Sequence, residues 1–246
     1  MGTTDQIPRI LHYCWFGRGE KSNKIQKCMD SWKRHLSEYT IIEWNEDNFD
    51  IYSKRYVKEA YLAGKFAFVS DYVRLHALYH HGGIYLDTDV EVLKPLDSFL
   101  HHEAFSGFED QTYLQSATMG AVKGHSWMRE LLENYDSRSF LQPDGIYDLT
   151  TNTTVITDLC KKHGLILNGE YQVLANGVTF YPRAFFSPYD YINGGNYITV
   201  NSFTIHHFAK SWLPLHVRVN SKLKRIASRV VGPTVISKIR KLLSPN

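Results

Sequence analysis

Apolar residues along this chain fall into short dense runs separated by helical stripes. Ile7 to Phe16 (IPRILHYCWF) is the first run, closed by Gly17, and predicts a buried strand. Ser22 then stands as an N-cap before Ile25, Cys28, Met29, Trp32 and Leu36, which share one helical face. Tyr39 to Trp44 predicts a second strand, parallel to the first across a right-handed crossover. The longest pattern starts after Lys65, where Phe68, Val69, Tyr72, Val73, His76 and Tyr79 line one face of an amphipathic helix. Gly82 and Gly83 end it, because glycine takes the left-handed conformation of a helix terminus without strain. Ile84 to Leu86 follows as a short buried strand.

Further on, Glu103 to Glu109 predicts a strand, Gln115 to Val122 a strand or loop of small residues approaching a ligand closely, and His125 to Tyr135 a helix. Leu141 to Thr154 reads as a loop before a helix ending at Lys162, Val178 to Pro188 as a strand and turn, and Thr204 onward as a last strand. Strands alternating with helices predict an α/β fold with a mostly parallel central sheet flanked by helices. Ligands of such sheets bind outside the C-terminal ends of the strands. Trp15, Asn45, Asp87 and Asp89 all fall at that edge.

Asp87 and Asp89 flank one residue, so their carboxylates can converge, and two such groups repel unless a cation lies between them. Hard oxygen ligands suit magnesium or manganese, ions that keep open positions for substrate phosphates. Asp71 and Arg74 lie three apart on the helix and can pair there, or hold a sugar hydroxyl or a phosphate. No glycine-rich phosphate loop is present, which disfavours P-loop enzymes and dinucleotide enzymes and leaves a metal to hold the phosphates.

Composition narrows the partners. The 246 residues suit one large domain, with 43% hydrophobic and 22% charged residues. Cys14, Cys28 and Cys160 are too few and too irregular for a disulfide framework or a zinc site, as expected in a reducing cytoplasm. Met1 to Pro8 lacks a secretion signal and no window approaches eighteen consecutive apolar residues, so neither export by that route nor a membrane span is expected. The net charge of +3 is a property of the end of the chain: residues 218–246 hold eight Lys and Arg and no acid, leaving −5 for residues 1–217.

The expected division is therefore a catalytic domain over 1–217 and a basic amphipathic tail over 218–246. In the tail, Leu223, Ile226 and Val230, then Val235, Ile236, Ile239, Leu242 and Leu243, recur at helical spacing on either side of Gly232-Pro233. Such helices read as a peripheral anchor on an anionic membrane face, each basic residue contributing about 1 kcal/mol, or else as a packed helix with a solvated face. No stacking aromatics interleave these charges, so nucleic acid is not an expected partner.

Ser70-Asp71-x-x-Arg74 followed by Gly82-Gly83-x-Tyr85-x-Asp87-x-Asp89 resembles glycosyltransferase family 32, whose members carry a DXD motif. That group includes bacterial polysaccharide glycosyltransferases and yeast mannosyltransferases of the Och type, and clostridial glucosylating toxins share its pattern. The resemblance runs from Ile7 to about Trp212. It implies a GT-A-type nucleotide-sugar fold, with Asp71, Arg74, Asp87 and Asp89 as catalytic residues and Asp87 and Asp89 as ligands of Mn2+ or Mg2+. It also implies Trp15 stacking on the base, Tyr85, Ser211 and Trp212 contacting the nucleotide, and a histidine of the Thr204 to Trp212 block, His206 or His207, completing the metal sphere. Neighbouring strand residues face opposite ways, so one of the two histidines is expected there. Where the family has Thr-Gly-Pro, this chain has Thr151-Asn152-Thr153.

The resemblance implies a retaining transfer of a hexose (galactose, glucose or N-acetylhexosamine) from a UDP-sugar donor to a saccharide acceptor. A lipid-linked acceptor at the cytoplasmic face of the cell membrane, in capsule or O-antigen synthesis, is the expectation that joins this chemistry to the basic tail. Asp87-Thr88-Asp89-Val90 after an apolar strand also resembles the haloacid-dehalogenase phosphatase signature, although Glu91 stands where that signature has Thr or Val. A toxin-like enzyme modifying a protein and a non-catalytic nucleotide-sugar binder are the other readings.

Overall fold

The computed structural model describes residues 6–190 and 195–208. A seven-stranded sheet runs through it in the order β2-β1-β3-β6-β5-β8-β7. Its strands are β1 (Ile10–Cys14), β2 (Thr40–Trp44), β3 (Gly83–Leu86), β5 (Ala104–Gly107), β6 (Thr118–Ala121), β7 (Gln172–Val173) and β8 (Val178–Tyr181). β1 pairs in parallel with β2 and β3, β5 pairs in parallel with β8, and β6 and β7 run against their neighbours. Five of the seven strands therefore share one direction, as the alternating pattern predicts. β4 (Val90–Val92) and β9 (Thr204–His206) form a separate antiparallel pair.

The helices are α1 (Asn23–His35), α2 (Arg55–Leu62), α3 (Phe66–His81), α4 (Ser126–Asn134), α5 (Asn152–Lys162) and α6 (Arg183–Phe186). α3 is buried along most of its length, with Val69, Val73, Leu75, Ala77 and Leu78 fully enclosed, so it behaves as a core helix rather than a surface one. Gly83 has φ +109, and a Cβ there would meet the Ile10 carbonyl oxygen at 2.5 Å. Only glycine allows α3 to turn straight into β3 against β1. One core cluster lies around α3 and another around Trp32, Leu36 and Phe105, on the two faces of the sheet.

α1, which carries no candidate chemistry, braces β4: Trp32 Nε1 donates to the Val90 carbonyl at 2.7 Å, and the Val92 N–H donates to Ser31 Oγ at 2.9 Å. β9 is tied to the main sheet by Thr204, whose Oγ1 donates to the Phe186 carbonyl and lies 3.3 Å from Thr118 Oγ1. Among the described residues no helix is long and apolar enough to cross a membrane. Ser211, Trp212 and the tail over 218–246 lie outside the described residues.

Candidate active site

The C-terminal ends of β1 and β3 and the loops after β5 and before β6 open onto one cleft of about 470 Å³. Trp15 and Gly17 come from the end of β1, Asp87 to Asp89 from the end of β3, Glu109 from beyond β5, and Ser116 and Ala117 from the approach to β6. Ser70, Asp71 and Arg74 of α3, Thr151 to Thr153 at the start of α5, and His206 and Phe208 complete the lining. Strand direction explains the gathering, since the same-facing strands deliver their following residues to one edge.

Arg74 is the buried strut of the site. Its Nη2 lies 2.8 Å from Asp71 Oδ1, its Nη1 lies 3.1 Å from Asp87 Oδ1, and Nη1 also donates to the Ser116 carbonyl at 2.8 Å. With 5% of its side chain exposed, it holds two carboxylates in place instead of reaching into solvent. Burial pushes Asp71 up to about 6 against the attraction of Arg74. Tyr85 is equally buried; its hydroxyl donates to Asp87 Oδ1 at 3.0 Å and the Arg74 guanidinium lies 4.7 Å from its ring centre. The structure thus sets Tyr85 behind the Asp87 carboxylate as its support, where burial takes it out of the nucleotide-contacting place expected for it.

Asp87, Asp89 and His206 each offer one ligand atom within 4.8 Å of the others. His206 Nε2 lies 3.2 Å from Asp89 Oδ1. Burial disfavours the charged imidazole, yet its pKa is raised, because Asp89 beside it and Asp87 and Glu109 nearby outweigh that penalty. Two carboxylates and an imidazole in a negative field fit a divalent cation of the Mn2+ or Mg2+ kind. His207 is turned the other way: its Nε2 lies 2.8 Å from Glu91 Oε2, and its backbone N–H donates to the Asp89 carbonyl. The alternation of the β4–β9 ladder, with Val90 opposite His206, sends the two imidazoles to opposite faces.

Trp15 is part-buried, its Nε1 donates to the Gly19 carbonyl at 2.7 Å, and Lys21 Nζ lies 5.3 Å from its ring centre. Gly17 (φ +88) packs so tightly that a Cβ would meet the Phe66 ring at 2.2 Å. Asn152 is buried at the start of α5 and donates to the Asp71 carbonyl at 3.3 Å, so the departure from Thr-Gly-Pro puts a second brace on the α3 end of the cleft. Ser116 and Ala117 line the cleft as the small residues of Gln115 to Val122 lead one to expect, whereas Glu109 belongs to no motif and its place at a strand end is the signal that points to it.

Residues 22–106 match the family model described as a glycosyltransferase sugar-binding region containing a DXD motif. The resemblance carried by Ser70 to Asp89 holds over that stretch. The chain is 27% identical over 146 residues to inositol phosphoceramide mannosyltransferase 3 of Schizosaccharomyces pombe, covering 54% of this chain and 38% of that protein. It is 26% identical over 140 residues to mannosyl phosphorylinositol ceramide synthase CSH1 of Saccharomyces cerevisiae, covering 52% and 35%. The chain spans less than half the length of these curated relatives. Among solved structures, the PaToxG glycosyltransferase aligns with a TM-score of 0.48 and 19% identity over 64% of this chain and 69% of that one.

Proposed function

We propose that this chain is a metal-dependent glycosyltransferase that moves a hexose from a nucleoside diphosphate sugar to a saccharide or lipid-borne hydroxyl. The observation that carries this reading is the convergence of Asp87, Asp89 and His206 in one cleft with Trp15, at the ligand edge of the sheet. A bound Mn2+ or Mg2+ supplies neutralisation of the charge that develops on the leaving diphosphate. Asp87, Asp89 and His206 would hold it. The chain's own residues do the rest: Arg74 and Tyr85 fix Asp87, and Trp15 offers a face for the base. The family resemblance favours retention of the anomeric configuration.

A UDP-sugar of galactose, glucose or N-acetylhexosamine is the donor class read from the sequence, and the mannosyltransferase names of the relatives add mannose to it. Their names also favour a lipid-borne acceptor, consistent with a basic tail over 218–246 holding the catalytic domain of 1–217 at the cytoplasmic membrane face. Bacterial capsule and O-antigen synthesis is one setting for such an acceptor.

The test is a panel of UDP- and GDP-linked hexoses with and without manganese, reading release of nucleoside diphosphate by wild type and by Asp89→Asn. Metal-dependent release from one donor, lost in the variant, is the expected result. Trapping of an aspartyl-phosphate on Asp87 would instead select the phosphatase reading, and neither binding nor release of any donor would sink the glycosyltransferase one.

A further inference from the structure

The cleft holds four carboxylates, and three have partners. Asp71 and Asp87 share Arg74, and Asp89 faces His206. Glu109 lines the same cleft, and its side chain makes no hydrogen bond or ion pair among the described residues. Its backbone is nonetheless fixed. The Glu109 N–H donates to the Tyr113 carbonyl at 2.9 Å, Phe108 bridges Leu114, and the adjacent Asp110 accepts from the N–H groups of Thr112 and Tyr113. Of two neighbouring acids, Asp110 closes the turn and Glu109 lines the cleft. Burial pushes its carboxyl up, with His206 and Arg183 only partly compensating.

Position decides what it can meet. β5 is two strands from β3 in the sheet, on the side away from β1, so Glu109 stands roughly 10 Å across the sheet edge from the Asp87–Asp89 turn. A nucleotide reaching from Trp15 to the metal ligands places its diphosphate at β3 and whatever the diphosphate carries over β6 and β5. A carboxylate accepts hydrogen bonds only, and its two oxygens match a pair of neighbouring hydroxyls.

We infer that Glu109 binds hydroxyl groups of the sugar being transferred and so makes the site select a hydroxyl-rich donor over its bare nucleotide. This rests on the glycosyltransferase reading above. The role is that of a binding residue that orients the sugar over the reacting carbon.

The experiment is calorimetric titration of the full chain with UDP and GDP and with their hexose conjugates, in manganese, for wild type, Glu109→Gln and Glu109→Ala, alongside thermal melts. Expected are unchanged affinity for the free diphosphate, affinity for the sugar conjugate lowered about ten-fold or more, and a melting temperature that does not fall. Equal conjugate affinity in all three proteins overturns the inference while leaving the enzyme reading intact. A lowered melting temperature with loss of both ligands makes Glu109 structural and also overturns it. Failure of wild type to bind either ligand removes the reading on which it rests.

Discussion

His206 and Asp89, far apart in the chain, face each other with Nε2 3.2 Å from Oδ1. The contact exists because β9 pairs with β4 in the register that sets His206 opposite Val90, one residue past Asp89. Asp87 and Asp89 follow β3 directly and Asp87 is held from α3 by Arg74, whereas the contact to His206 closes a long loop.

Metal affinity should therefore separate the two histidines. His206→Ala is expected to weaken Mn2+ binding, and His207→Ala, which breaks a contact to Glu91, to leave it unchanged. Tyr85→Phe removes the hydroxyl that donates to Asp87 and is expected to cost about ten-fold in affinity, as supporting hydrogen bonds to ligands do. Electron paramagnetic titration of free Mn2+ reads all three. Equal losses at His206 and His207 would contradict the geometry.

Arg74→Ala leaves the part-buried Asp71 and Asp87 without their shared cation. The expected cost is about 3 kcal/mol in urea unfolding, the lower end of the range for breaking a buried pair. Arg74→Lys should recover little, because one ammonium cannot reproduce the fork that reaches both carboxylates and the Ser116 carbonyl. Near-wild-type stability in the lysine variant would show that charge alone suffices.

Acid should destabilise the fold through His12. It is fully buried, lies 2.8 Å from the Gly82 carbonyl, accepts from Trp44 Nε1 at Nδ1, and burial depresses its pKa to about 4. The unfolded chain takes up a proton near pH 6.5 while the folded protein does not until about pH 4. Stability is thus whole above pH 6.5 and falls as pH drops through that window, by about 2 kcal/mol between pH 7 and pH 5 from this residue. His76, lowered likewise by burial, acts in the same direction. Urea midpoints against pH check it, and a His12→Gln variant should show a flatter slope.

Much of the architecture was legible because it is written locally. The apolar runs of β1 and β2, the stripe of α1, and α3 ending at Gly82-Gly83 all appear where periodicity and turn chemistry put them. α2 is not legible in the sequence, since eight residues carry barely two turns of pattern. β4 has three residues, too few for alternation to register as a strand, whereas the strand expected from Thr204 is present as β9. Glu109 reads as the end of a strand and not as a site residue, because nothing in Phe108-Glu109-Asp110 tells which acid closes the turn and which faces the cleft.

The chain's own order of residues determined that Asp87 and Asp89 stand at the end of a buried strand, with Asp71 and Arg74 one helix earlier, because glycine, helical spacing and strand alternation act over a few bonds. It also determined that His206 and His207 face opposite ways. Which of them meets the carboxylates was decided only by the tertiary structure. A strand's two faces are equivalent until a partner fixes its register, and here that partner is β4, braced from behind by Trp32 and Ser31.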